Sequence, residues 1–370
     1  MLRRSFLNTT VATAALAAAA SRDAALASES TAAVPRPFLV DGSDVSALSP
    51  EYLDLLRKGG VQVMMWNSPG TLLDVSLALE FLEKHADRAA LAKTVEEIDA
   101  VVRSGRLAVL FGFQDGLAFT EGAGNDWRDV NPPQTTLRAF YDLGLRAVNL
   151  TYNIANQFGG GCLDPSVPLS RAGKYMITTM QEMGILVDCG GHLGERSSLD
   201  VIAMARRPVI CSHSNCKALN DNPRCTSDRV IEGIAKTGGV FGINAVDAFM
   251  TWGWKDAHKD LTRDIPAQET VARYVDEIDY LMKLVGPDHI GLGPDFTYGL
   301  DSFYVDPANQ FEFPPEMTYK QHPVRFVKGF ENISQLANVT SELRKRSYSQ
   351  ENIDKILGGN WMRVYRAAWS

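Results

Sequence analysis

The 370 residues carry 37 Lys and Arg against 44 Asp and Glu, a formal net charge of −7, and that balance argues against a nucleic-acid binder. Hydrophobic residues make up 45% and charged residues 22% of the chain, a globular composition. Beyond the first 27 residues no stretch is apolar for long enough to span a bilayer.

The N-terminus reads as a targeting signal. Arg3-Arg4-Ser5-Phe6-Leu7 is a twin-arginine pattern. An alanine-rich stretch, interrupted by Arg22 and Asp23, leads to the small-x-small site Ala25-Leu26-Ala27. Residues 1–27 are therefore expected to be a twin-arginine signal peptide, and the mature chain from Ser28 is expected in the periplasm. That export route carries folded proteins, often with a metal or cofactor in place. The remaining roughly 340 residues suit one eight-fold α/β barrel.

Short apolar runs then alternate with longer amphipathic ones. The runs expected as strands are 38–41, 61–66, 107–111, 147–151, 185–189, 209–212, 239–244 and 289–293. Helical patterns fall between them, among them 72–85, 92–104, 134–143, 174–183, 195–207, 227–236 and 269–284. Gly144, Gly184, Gly238 and Gly286 sit where helices should stop. Strands alternating with helices mean a parallel sheet, and eight such units mean closure into a TIM-type (β/α)8 barrel. An open doubly wound sheet is the alternative, but no Gly-x-Gly-x-x-Gly follows the first strand. Long loops at Asn156–Ser170 and Thr297–Pro323 belong to the C-terminal rim, where barrels build their sites. No internal repeat divides residues 28–370, so one domain is expected.

Two of the six histidines follow strand runs directly: His192 in Asp188-Cys-Gly-Gly-His192 and His213 in Cys211-Ser-His213. A strand–helix–strand unit brings both strand ends to one edge of the sheet, so the imidazoles should meet. Paired imidazoles there are a means of holding a divalent metal. A Cys/His zinc site through Cys189 is the alternative, but Cys211 lies deeper in its strand and reads as core. Asp295, after the eighth strand, is placed to bind a metal or to act as general base, with a loop or N-cap role as its alternative. The five cysteines are odd in number, so at least one thiol stays free; Cys216 and Cys225 are close enough in sequence for a disulfide.

Several segments together give the chain a family resemblance. They are Gly144-Leu-Arg-Ala-Val-Asn-Leu-Thr-Tyr-Asn153, Gly184-Ile-Leu-Val-Asp188, Pro208-Val-Ile-Cys-Ser-His-Ser-Asn215, Asn222-Pro-Arg224 with Asp228, Gly238-Gly-Val, Gly291-Leu-Gly-Pro-Asp-Phe296 and Ile356-Leu-Gly-Gly-Asn-Trp-Met-Arg-Val364. In these the chain resembles the membrane (renal) dipeptidases, the M19 peptidases, over nearly all of its mature length. The resemblance implies a metallo-dependent hydrolase barrel with two zinc ions and a dipeptide substrate, and family members are often homodimers. It maps His192 and His213 onto the ligands of one ion, Asp295 onto the catalytic aspartate and Arg224 onto the residue that grips the substrate carboxylate.

The departures point elsewhere. The family's Asp-Gly-His-x-Asp reads Asp41-Gly42-Ser43-Asp44-Val45 here, leaving only Asp44 as a ligand on strand one. The bridging glutamate of Gly-x-Glu-Gly is Gln114 in Gly112-Phe-Gln114-Asp115-Gly116. Tyr152 replaces a substrate-side histidine, and one extra residue precedes His192. Two adjacent dications need anionic ligands against their repulsion. One firmly bound zinc is therefore expected rather than two, held by His192 and His213 with help from Gln114 or Asp44. Asp295 would move the proton, and Tyr152 would donate to the oxyanion. The expected function is metal-dependent hydrolysis of a dipeptide or related small amide. The alternatives are a mononuclear barrel enzyme of altered chemistry and a degenerate small-ligand binder.

Overall fold

The computed structural model describes residues 38–68, 70–120, 133–251, 267–300 and 324–369. The expected signal peptide, and residues 301–323 of the second rim loop, lie outside the described residues.

The described strands are β1 Val40–Asp44, β2 Val63–Trp66, β3 Ala89–Leu91, β4 Leu107–Phe113, β5 Leu145–Val148, β6 Leu186–Val187, β7 Ile210–Ser214, β8 Val240–Ile243 and β9 Ile290–Leu292. They form two parallel sheets, β1-β2-β4-β5-β6 with β3 attached to β4, and β7-β8-β9. Single parallel bridges join the sheets at Asp188↔Ile210 and at Asp44↔Phe296. Eight strands therefore form a ring, the expected (β/α)8 barrel. The ninth, β3, was not expected, because Ala-Ala-Leu is too short to register as an apolar run. It pairs with β4 at Leu107–Val109, and β5 takes over from Phe111.

All eight ring strands are buried along their whole length, as parallel strands covered on both faces must be. The helices that cover them are α1 Pro50–Gly59, α2 Leu72–Lys84, α3 Val95–Arg103, α4 Pro133–Leu143, α5 Arg171–Met183, α6 Glu195–Met204, α7 Asp228–Lys236 and α8 Val271–Leu284; α9 Leu336–Lys345 and α10 Asn360–Trp369 come later. Their starts are chemically marked. Thr71 and Asp74 form a reciprocal capping box on α2, and Ser49, Thr94 and Ser170 each accept a first-turn amide. Gly184 ends α5 with φ +78°, a left-handed conformation that glycine adopts without steric cost.

Trp361 of α10 is fully buried, and its Nε1 donates to the Leu292 carbonyl at 3.0 Å. A Cβ at Gly42, Gly291 or Gly242 would lie 2.4, 2.5 or 3.0 Å from the indole. Those glycines belong to the neighbouring strands β1, β9 and β8, so the ring rests on bare backbone. On β1, Asp41 and Ser43 alternate with Gly42 and so point away from that ring.

The disulfide open to Cys216 and Cys225 is not formed. All five cysteines are buried and free; Cys225 Sγ donates to the Phe249 carbonyl at 3.3 Å instead. No helix of the described residues is long and apolar enough to cross a membrane.

Candidate metal centre

The site lies where β6 and β7 end. Cys189 N donates to the Ile210 carbonyl at 2.7 Å, which fixes the register of the two strand ends. From there Gly190 (φ +86°) and Gly191 (φ +59°) turn the chain so that His192 faces His213. Both lie in the left-handed region, which glycine adopts without steric cost. The imidazoles meet as expected: their Nε2 atoms are 3.0 Å apart and the ring planes lie at 67°.

Each ring is also held at its other nitrogen. Nδ1 of His192 is 2.7 Å from Asn153 Oδ1. Nδ1 of His213 is 2.7 Å from Ser212 Oγ and 3.1 Å from Ser43 Oγ. The Ser212 hydroxyl and amide both donate to Asp188, at 2.5 and 2.8 Å, and Asn67 Nδ2 donates to Ser43 Oγ at 2.8 Å. Burial, with Arg224 nearby, holds both imidazoles well below the usual histidine range, so they are neutral at pH 7. Burial raises Asp188 to about 6 against the pull of its two Ser212 hydrogen bonds.

The predicted charged residues complete the wall. Asp295 Oδ2 lies 3.9 Å from His213 Nε2 and accepts from Asn244 Nδ2 at 3.0 Å. Burial raises Asp295 to about 7, opposed by Arg224 and Asn244. Arg224 is only 7% exposed. Its NH2 is 3.3 Å from His192 Nε2, its guanidinium lies over the Phe249 ring at 5.1 Å, and its buried NH1 has no hydrogen-bond partner. Tyr152 stacks on His192 with centroids 4.2 Å apart. Gln114 lies beside Asp295 and helps hold its carboxyl down, short of full hydrogen-bond geometry at its Nε2.

Asp44 is differently occupied. It accepts from the Tyr52 hydroxyl and, at 2.7 Å, from the Ser46 amide. Its carboxyl is buried beside Asp41, and burial raises both. Among the described residues no group of three or more His, Cys, Asp or Glu is placed to hold a metal ion. The donor set is thus two imidazoles with Asp295 behind them.

Sequence reasoning missed Asn67, Asn153, Ser212 and Asn244, the partners that aim the imidazoles and Asp295. One signal was available: Asn67 directly follows a strand run and Asn244 ends one. Asn153 had none, because its role depends on a left-handed backbone (φ +63°) that no local pattern announces.

Comparison with known proteins gives a consistent result. The family model described as membrane dipeptidase (peptidase family M19) matches residues 67–308 and 319–369. The dipeptidase tcpJ of Claviceps purpurea is 28% identical over 299 residues, 80% of this chain; the chain spans only 59% of that protein's length. An uncharacterised protein from the pqqA 5′ region of Klebsiella pneumoniae is 27% identical over 315 residues, covering 81% of this chain and 98% of the relative. Among solved structures, an amidohydrolase from Pseudomonas aeruginosa superposes with a TM-score of 0.74 at 25% identity, over 90% of this chain and 96% of that one. A metallopeptidase from Rhodobacter sphaeroides, liganded with a phosphinate mimic of the dipeptide L-Ala-D-Ala, shares the fold at TM-score 0.68 and 17% identity, over 90% and 99% of the two chains.

Proposed function

The chain belongs to the membrane dipeptidase family, peptidase family M19, and on that premise we propose that it is a metal-dependent hydrolase of dipeptides or closely related small amides, working with one zinc ion. The observation that carries this reading is the convergence of two neutral imidazole Nε2 atoms 3.0 Å apart, with a carboxylate 3.9 Å from one of them. Each ring is fixed at its far nitrogen, as metal-binding histidines are. The donor chemistry therefore fits a zinc ion held by His192 and His213, with water completing the shell and Asp295 beside it. When bound, the ion would polarise the scissile carbonyl and lower the pKa of the attacking water.

The residues of the chain do the rest. Asp295, raised to about 7, accepts the proton of the attacking water and passes it to the leaving amine. Arg224 offers its unpartnered NH1 to the free carboxylate of a dipeptide, for which a guanidinium fork is suited. Tyr152 walls the site against His192 and supplies a hydroxyl for the developing oxyanion.

A single ion is favoured because the anionic ligands for a second are missing. Ser43 is committed to His213 and Asn67, Asp44 to Tyr52 and Ser46, and Gln114 is neutral. The Arg3-Arg4 signal supports export to the periplasm. The test is elemental analysis of protein purified without chelator, paired with a dipeptide hydrolysis assay. About one zinc per chain with chelator-sensitive hydrolysis is expected; no metal and no uptake of added zinc would overturn the reading.

A further inference from the structure

We infer that Asn153 is a positioning residue that fixes His192 in the tautomer carrying its proton on Nδ1. Two groups converge on Asn153 Oδ1: His192 Nδ1 at 2.7 Å and, as a donor, the Cys162 thiol at 3.3 Å. The atom on which they converge is therefore the amide oxygen and not its NH2. Burial raises Cys162 to about 11, so the thiol keeps its proton and remains a donor. An oxygen acceptor at Nδ1 requires a proton there. The other side of the ring agrees: Arg224 NH2 approaches His192 Nε2 at 3.3 Å, and a guanidinium has donors only. His192 is thus set between an acceptor at Nδ1 and a donor at Nε2, which leaves the Nε2 lone pair turned into the site.

The backbone of Asn153 is itself tightly held. Its φ is +63°, and it is one of three described non-glycine residues with positive φ; Asp295, beside His213, is another. Such conformations persist where the surroundings over-determine them, and they gather at functional sites. Here the Leu163 amide donates to the Asn153 carbonyl at 2.9 Å. Gly161 packs so closely that a Cβ there would lie 2.2 Å from Asn153 backbone atoms.

The tautomer lock stands on these contacts; its consequence for zinc rests on the metal reading above. The test uses metal-free, histidine-labelled full-length protein and the two-bond nitrogen–proton correlations of the His192 ring, assigned with His192→Gln. The native protein is expected to show the Nδ1–H pattern, and so is Asn153→Asp, which keeps an acceptor and tolerates the left-handed backbone. Asn153→Gly relieves the backbone and removes the acceptor. It is expected to melt cooperatively as a folded protein, to shift to a mixed-tautomer pattern and to bind zinc about 10–100-fold more weakly against a chromophoric chelator. An unchanged ring pattern and unchanged zinc affinity in Asn153→Gly would overturn the inference, as would absence of the Nδ1–H pattern in the native protein. A shifted pattern in a protein whose native form binds no zinc would support the lock while removing the metal reading.

Discussion

Asp295 Oδ2 lies 3.9 Å from His213 Nε2 and takes its hydrogen bond from Asn244, so the carboxyl faces the imidazole pair from a fixed position. Burial brings it to about 7, and a general base works only when ionised. Hydrolysis is therefore expected to rise with pH through about 7. Asp295→Asn should lower kcat by about 10²–10⁴-fold, the usual range for loss of a proton-transfer group. A pH–rate profile of both proteins checks this; a variant within a few-fold of the native rate would remove Asp295 from proton transfer.

The same burial has a consequence for stability. The folded-state value of Asp295 lies above the ordinary carboxyl value of 3.8, so the folded protein holds this proton more tightly than the unfolded chain does. The stabilisation is complete below about pH 4 and is lost as pH rises through about 7. The two imidazoles, held low, act in the opposite direction below their ordinary 6.5, so total stability does not isolate the effect. The difference between proteins does. In the metal-free state, Asp295→Asn should gain melting temperature over the native protein progressively from pH 5 to pH 8. Thermal melts across that range in chelator check it, and a variant less stable at pH 8 would contradict it.

Arg224 is almost wholly buried and has one unpartnered nitrogen. Arg224→Ala should raise KM for a free dipeptide by about 10–100-fold, the scale of a charge-assisted hydrogen bond. A dipeptide amide, which lacks the carboxylate, should be affected far less. Parallel kinetics on the two substrates check this; equal losses on both would mean that Arg224 acts on His192 rather than on substrate.

Gly191→Ala should damage the site from behind. The added methyl would lie 2.8 Å from Arg224 NH1 and 2.9 Å from the His213 carbonyl, at a backbone φ of +59°. A cost of about 1–3 kcal/mol is expected from strain and crowding together. Because Arg224 must move, KM should rise by more than the loss of stability explains. Denaturant melts beside kinetics check it.

Much of this was legible because barrel strands are buried on both faces and read as plain apolar runs. Their ends were less so. β1 begins later than expected and runs on to Asp44, and β7 runs on to Ser214, because the last residues of those strands are polar and serve the site. Such residues break the hydrophobic signal at the point where chemistry begins. His192, His213 and Asp295 were legible since each lies at or just beyond the C-terminal end of a strand. Asn153 was not, and neither was the commitment of Asp44 to Tyr52, since both arise from loop geometry and long side chains meeting. The spacing of Cys216 and Cys225 suggested a bond that the structure does not make.

The barrel is fastened at two seams by single bridges, and both seams pass through the site. At one, the Ser212 amide and hydroxyl reach across to Asp188; at the other, the Asp295 amide donates to the Ser43 carbonyl at 2.9 Å. The groups that aim His213 and carry the proposed general base are thus also the hoops around the staves. The sheet cannot loosen at either joint without disarming the catalyst, so the slow exchange of these two amides would measure intact closure and intact chemistry together.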